Sequence, residues 1–403
     1  MVGLPDPEVL VVGAGPVGLV TALFLEQYGV RARIVDMHQR THQYSYALAI
    51  HPGTLAVLDE AGLSDILIGA GRTLTKVAYY DSQERRAEID YSRLACRHPY
   101  LLVVRQSVLE RTAEEALRRK HQKVLWGHRL QALTLDGAAV EADVAELDQV
   151  AVGYPIARTE WVIARTERMR PAFVIGADGY DSAVRRLAGI EMAEHRAGQI
   201  FSIYEIDAAG ELPDDVRVVL DPDLMSVYWP LEPGRCRWGF EIVDAGTHDA
   251  SQKRLAELLA ARAPWFTAKP TQIYWSTHAV FESRLTKSFG TGRVWLAGDA
   301  AHQAAPVGVQ SMNSGLVEAR ELASRISKIQ RSGGASSLLQ EFGTEMLGTW
   351  ERLLEPGRTV SPRSGADPWV ARNAARILAC IPASGDELEP LLSQVGLTAT
   401  NAR

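Results

Sequence analysis

Two hydrophobic periods divide this chain. Val9–Val12 is an unbroken apolar run of strand length, followed by a glycine turn, a helical stretch over Pro16–Tyr28, a stop at Gly29 and a second strand at Ala32–Val35. Pro just inside a helix and Gly just past it are the expected punctuation. Thr54–Ala61 and Val108–Arg119 carry apolar residues at helical spacing. From Val124 to Ile175 the pattern turns to short alternating runs, such as Trp161–Ala164 and Ala172–Ile175, which predicts a meander. A second β-rich stretch, Gln199–Val243, is studded with Phe201, Tyr204, Tyr228, Trp229, Trp238 and Phe240. Val294–Ala297 reads as a short buried strand and Leu316–Ile326 as a helix. Beyond a Ser/Gly-rich linker at 332–337, helices are expected over Leu338–Leu354 and Trp369–Ile381, separated by the Pro/Gly-rich loop Glu355–Pro368.

Parallel α/β pieces at both ends with antiparallel strands between them predict an α/β chain of two interleaved domains and C-terminal helices. Its 403 residues are ample for a sizeable core. Lys plus Arg number 43 against 49 Asp plus Glu, a formal charge of −6, which argues against nucleic acid as the main partner. Cys96, Cys236 and Cys380 lie far apart, with neither disulfide nor zinc spacing, and read as the reduced thiols of a cytoplasmic protein. The first ten residues lack the basic and apolar regions of a signal peptide. The apolar stretch Val9–Leu25 is interrupted by glycines and proline and falls short of the ~20 residues a membrane span needs. No span is expected.

The strongest local signal is Gly13-Ala14-Gly15-Pro16-Val17-Gly18 between that first strand and helix. The first glycine permits the tight turn, the second lets backbone approach a pyrophosphate, and the third allows close helix–strand packing. The helix N-terminus supplies unpaired N–H donors. Asp36, at the end of the next strand, is placed to bind ribose hydroxyls and disfavours a 2′-phosphate. FAD and NAD are equal candidates on this motif alone.

Two later motifs separate them. Phe173-Val174-Ile175-Gly176-Ala177-Asp178-Gly179 is a strand ending in Asp-Gly, followed by Ser182 and Arg185. Arg293 to His302 is a strand ending in Gly298-Asp299-Ala300-Ala301-His302, followed by Pro306, Gly308, Asn313 and Gly315. With these the sequence resembles the para-hydroxybenzoate hydroxylase-type flavoprotein monooxygenases, over most of positions 7–330. The resemblance implies a Rossmann-like FAD-binding domain built from 1–75, 100–188 and 286–330. It implies a substrate-binding β-sheet domain from 76–99 and 189–285, and a helical region over 331–403.

It also implies roles. Asp299 would hold a ribityl hydroxyl, Pro306 and Gly308 would run along the isoalloxazine, and the helix opening near Met312 and Asn313 would point at its pyrimidine edge. Gln106 matches the flavin-side glutamine, Arg105 could meet a phosphate, and Asp178 with Arg185 would touch flavin and nicotinamide. Asp178 has a second reading, as the cap of the helix beginning near Asp181. His302 reads as an anchor of its loop, with acid/base catalysis the alternative. Tyr204, Tyr228, Trp229, Trp238 and Phe240 are either sheet core or the lining of a substrate pocket. His51, His98 and His278 read as ordinary surface or core histidines. The last helix would pack on its own domain, or else dock a membrane or a dimer partner.

Three departures stand out. Asp36-Met37 occupies the place of the family's Glu-Arg, with Arg40 the substitute cation; Gly53 replaces an arginine before Thr54-Leu55; and Ser311 replaces a glycine two before Asn313. The implied activity is NAD(P)H- and O₂-dependent hydroxylation or epoxidation of an aromatic or electron-rich small molecule through a flavin C4a-hydroperoxide, by a monomer or homodimer. No second glycine-rich fingerprint exists for NADPH or NADH, so the reductant would bind transiently. A reductase of the same fold that uses no O₂, and a flavin-binding protein without turnover, are the alternatives.

Overall fold

The structure is a computed structural model that describes residues 6–39, 49–136, 139–152, 158–244 and 249–399. Its organising element is a six-stranded sheet assembled from three separated stretches of chain. Val9–Val12 lies at the centre, paired in parallel with Ala32–Asp36 on one side and Phe173–Gly176 on the other. Val124–Trp126 extends the first side, and Val294–Leu296 with Gly290–Thr291 extends the second. The four residues of Val9–Val12 are all buried, as a parallel strand covered on both faces requires. Helix Pro16–Gln27 covers one face and packs against helices Gln106–Arg119 and Gln310–Ser332.

An eight-stranded sheet stands beside it. Its order is His302–Gln303, Lys269–Thr286, Met192–Ala209, Arg235–Ile242, Met225–Pro230, Val216–Leu220, Lys76–Tyr80 and Arg85–Asp90. Of the expected 124–175 meander, Val124–Trp126 and Phe173–Gly176 belong instead to the parallel sheet; the rest is a three-stranded antiparallel sheet of Arg158–Met169, Ala139–Val152 and His128–Asp136, with longer strands than the short alternating runs suggest. Helices Ser337–Leu354 and Pro368–Cys380 lie close to their expected spans, whereas Gln310–Ser332 extends well beyond the expected Leu316–Ile326 at both ends.

Among the described residues, three α-helices went unread in the sequence pattern: Ser64–Ala70, Leu388–Gln394 and, with the largest consequence, Gln252–Arg262. Gln252–Arg262 is capped by the Ser251 hydroxyl, which accepts from the Arg254 N–H, and it buries Leu255, Leu258 and Leu259. It lies on the outer face of the eight-stranded sheet, in one core with Tyr204, Tyr228, Trp238 and Phe240. The opposite face shares a core with the 306–310 loop and helix Pro368–Cys380. That loop therefore belongs to both halves of the molecule.

Candidate functional site

From the central strand the chain steps outward one way, to Ala32–Asp36 and Val124–Trp126, then returns to build Phe173–Gly176 and Val294–Leu296 on the other side. Such a reversal leaves a crevice at the carboxyl ends of the strands, where ligands bind in open α/β sheets. Gly13, Asp36, Asp178 and Asp299 all follow those ends.

The three glycines divide the work of the crevice. Gly13 has φ +103°, and a Cβ there would stand 2.2 Å from the Ala177 carbonyl oxygen. A Cβ on Gly18 would stand 1.9 Å from the Gly13 carbonyl oxygen. Around Gly15 no heavy atom lies within 4 Å of that position, so the backbone faces open space at the helix N-terminus. This is a cradle that a pyrophosphate fits and a side chain would fill. Asp36 Oδ2 accepts from the Ala14 N–H at 2.7 Å, and its Oδ1 accepts from the backbone N–H of His38 at 2.8 Å. Arg40 lies outside the described residues.

Asp299 follows Gly298, whose φ is +63°. Asp299 keeps solvent-accessible surface at the carboxyl end of Val294–Leu296. Desolvation there raises its carboxyl above the ordinary range, opposed by His302 and reinforced by Glu318. The loop is held from behind by Glu318, which accepts from the Gly298 N–H at 2.9 Å and from Trp350 Nε1 at 3.0 Å. His302 Nε2 meets the same carboxylate at 2.8 Å, and its ring stacks on Trp350 at 3.7 Å. His302 is wholly buried. These contacts tie the ring to Glu318 and Trp350, while its Nδ1 is buried with no hydrogen-bond partner among the described residues. Glu318 was not singled out in the sequence, although it shares the inward stripe of its helix with Leu322.

Several other expected contact residues spend their polar groups on the protein itself. Asp178 accepts from Ser182 Oγ at 2.5 Å and from the N–H groups of Ala183 and Val184 at 2.7 and 3.1 Å, so it does cap that helix. Arg185 is buried and donates to the carbonyls of Ala300 and Tyr180, tying the Asp-Gly turn to the Gly-Asp turn. Arg105 donates to Glu205 at 2.6 Å and reaches Glu232 at 3.4 Å. Gln106, at the first turn of its helix, donates from Nε2 to Glu110 at 2.7 Å.

The 306–310 loop is gripped from two sides. Asn313 is buried; its Nδ2 donates to the carbonyls of Ala49 and Val309, and its Oδ1 accepts from the His51 N–H. His51 proves more than an ordinary core histidine. Its Nε2 donates to the Gly308 carbonyl at 2.9 Å, and burial lowers its pKa to about 3, so the ring is neutral. From the other side Gln310 Nε2 donates to the carbonyls of Ile381 and Ala383, while a Cβ on Gly308 would stand 2.7 Å from the Ala379 carbonyl oxygen. Val309, β-branched, holds φ +51°, a strained conformation that persists because the loop is so fully pinned. Ser311 Oγ accepts from the Ala304 N–H, Pro306 is half-buried, and Met312 packs half-buried against the main core. At Gly53 the space for a side chain is taken by Glu387, whose carboxylate would stand 2.8 Å from a Cβ.

The aromatic cluster needs correction. Tyr204, Tyr228, Trp238 and Phe240 point to one side of the sheet, where helix Gln252–Arg262 seals them; none is more than 1% exposed. They are core. Trp229, of opposite parity, lies on the inner face with Phe201, Ile203 and Val227, in the core that includes Val307 and Val309. Trp275, Ala279 and Phe281 lie on that face and are only partly buried. A cleft of about 660 Å³ opens beside it, lined by Arg72, Val103, Val104, Arg105, Val108, Leu212 and Leu231 among others. Glu205 sits on the inner face between Arg105 and Arg237; burial raises its carboxyl, and the two guanidinium groups outweigh that and leave it below the ordinary range.

Comparison with known proteins decides what the cradle holds. Residues 6–355 match the family described as FAD binding domain. The chain belongs to that family. The cradle at Gly15, with carboxylates at Asp36 and Asp299 along the same crevice, fits FAD. This FAD-binding chain is 28% identical over 365 residues to 6-methylpretetramide 4-monooxygenase of Streptomyces rimosus, covering 88% of this chain and 62% of that protein. It is 27% identical over 362 residues to pentachlorophenol 4-monooxygenase of Sphingobium chlorophenolicum, covering 87% of this chain and 63% of that one. It thus spans less than two thirds of either relative. Its fold matches the crystal structure of p-nitrophenol 4-monooxygenase from Pseudomonas putida, with a TM-score of 0.76 at 23% identity, over 96% of this chain and 91% of that one. No helix among the described residues is long and apolar enough to cross a membrane.

Proposed function

We propose that this chain is an FAD-dependent monooxygenase that uses NAD(P)H and O₂ to hydroxylate an aromatic or electron-rich small molecule. The observation that carries the reading is the 306–310 loop. It continues directly from Asp299 in the FAD crevice, and its Val307 and Val309 pack into the inner face of the antiparallel sheet. One loop thus joins a cofactor cradle to an apolar wall. Bound there, FAD supplies the electron transfer and oxygen activation.

The protein supplies position and dryness. Asp36 and Asp299 bind hydroxyls, and the helix that begins at Pro16 directs its N–H groups at the pyrophosphate. Trp275, Ala279 and Phe281 are the wall on which a flat apolar ligand would lie, excluding water. His51, Asn313 and Gln310 keep the loop fixed between the two. The division into an FAD domain of 1–75, 100–188 and 286–330, a sheet domain of 76–99 and 189–285, and a helical region of 331–403 follows the same reading, as does a cytoplasmic location.

A panel of phenols and other aromatic compounds tests it, with NAD(P)H oxidation and O₂ uptake read together. The expected result is that a true ligand speeds both in step. NAD(P)H oxidation that proceeds equally without O₂ would make the chain a reductase, and a chain that binds FAD and turns over with no compound would make it a binding protein only if NAD(P)H is never consumed.

A further inference from the structure

Behind the adenosine end of the cradle lies a carboxylate with no task in the reading above. Glu110 sits one turn into helix Gln106–Arg119 and is 2% exposed. Its Oε1 accepts from Gln106 Nε2 at 2.7 Å, while its Oε2 is buried with no hydrogen-bond partner. No cation pairs with it among the described residues. The charges that act on it are Asp36, at the end of its strand, and Glu114, one turn on. Helix Pro16–Gln27, packed against it, carries a single charged residue, Glu26, which pairs with Lys120 at 3.3 Å. Helix Ser64–Ala70, packed on its other side, carries only Asp65. His38 engages Asp36 rather than Glu110.

We propose that Glu110 takes up a proton when FAD binds, which removes a buried negative charge from behind the cofactor and keeps Gln106 fixed at its edge. The physical cause is electrostatic. Burial already raises this carboxyl to about 7, against the bond from Gln106 and with help from Asp36 and Glu114. FAD brings a pyrophosphate of two negative charges to the neighbouring helix N-terminus and strips water from the crevice. Both changes favour the neutral acid further. The proton comes from solvent and settles on Oε2, the oxygen without a partner; Oε1 goes on accepting from Gln106. Because the bound state holds the extra proton, FAD affinity falls as pH rises above about 7, by at most about tenfold per pH unit.

The test is calorimetric titration of FAD into the full chain freed of flavin, in buffers of different ionisation enthalpy, for the wild type and Glu110→Gln. The glutamine keeps a carbonyl oxygen for Gln106 and cannot titrate. At about pH 8 the wild type should take up a substantial fraction of one proton per FAD and at about pH 5.5 almost none, while E110Q takes up none at either. The variant should bind FAD within about threefold of the wild type at the lower pH. Wild-type binding without proton uptake, or uptake retained in E110Q, would overturn the proposal. Should E110Q fail to fold, infrared difference spectra of the wild type decide: FAD binding must create a carboxylic-acid carbonyl band, and its absence overturns the assignment equally. A chain that bound no FAD would show no titration heat at all, a result that overturns the cofactor assignment together with this inference.

Discussion

Gly13, Gly15 and Gly18 look alike in the sequence, yet substitution should tell them apart. An alanine methyl at Gly13 or Gly18 meets backbone about 2 Å away, so either change must displace the turn itself. At Gly15 the methyl enters open space where the cofactor would lie. Gly15→Ala should therefore leave the melting temperature of the flavin-free protein unchanged and weaken FAD binding at least about tenfold, or ~1.4 kcal/mol. Gly13→Ala should lower both, which thermal melts with and without FAD would reveal. His51 makes a different residue-scale prediction. Its folded pKa of about 3 lies below the ordinary histidine value, so the unfolded chain binds more protons between those limits. Stability should be full above about pH 6.5 and fall as the pH drops toward 3, at up to about 1.4 kcal/mol per unit. His51→Gln should flatten that slope in urea melts run across the same range. The placement of the glycines, Asp36 and Asp299 at strand ends was legible because a strand-to-turn pattern is local in sequence. His51 was not, because its partner Gly308 stands 257 residues away in the chain.

Among the elements, the helix Gln252–Arg262 alters the reading most. Its signal was present: Ser251 as a cap, then Leu255, Leu258 and Leu259 at helical spacing. Without it, both faces of the eight-stranded sheet look equally available, and the richer aromatic set looks like a pocket. With it, strand parity assigns Trp238 to a sealed core, where it stacks on Phe240 at 5.2 Å, and Trp275 to the partly open inner face. Trp238→Ala should cost about 3–5 kcal/mol of stability in denaturant melts. The milder Trp238→Phe should leave ligand-stimulated NAD(P)H oxidation close to wild type. Trp275→Ala should do the reverse, sparing stability and reducing stimulation by aromatic ligands several-fold. Helix Pro368–Cys380 was readable because it carries its own Asp367 cap, a proline at its first turn and an apolar stripe of Val370, Ala374, Ile377 and Leu378. The long strands of the three-stranded sheet were not, since their exposed Leu135, Val150, Trp161 and Ile163 blur the alternation.

At the scale of the whole molecule, one crevice draws on strands from the beginning, the middle and the last third of the chain, and one pinned loop connects it to the inner face of the eight-stranded sheet. That architecture explains why several side chains around the crevice also tie its segments to one another. Arg185 joins two turns of the crevice, Glu318 holds the second of them from behind, and Arg105 fastens the start of its helix to Glu205 in the antiparallel sheet. Residue identity could show that an arginine or aspartate belonged near the site. It could not show whether the charge faced ligand or protein, because that depends on which distant segment folds against it. The central claim is that reduced flavin in this crevice delivers one oxygen atom to an aromatic compound on the inner face. Turnover under isotopically labelled dioxygen, with the product weighed by mass spectrometry, tests it most directly. The account predicts one labelled oxygen atom in the product for each NAD(P)H productively consumed. A product bearing no label, or formed equally well without dioxygen, would contradict it.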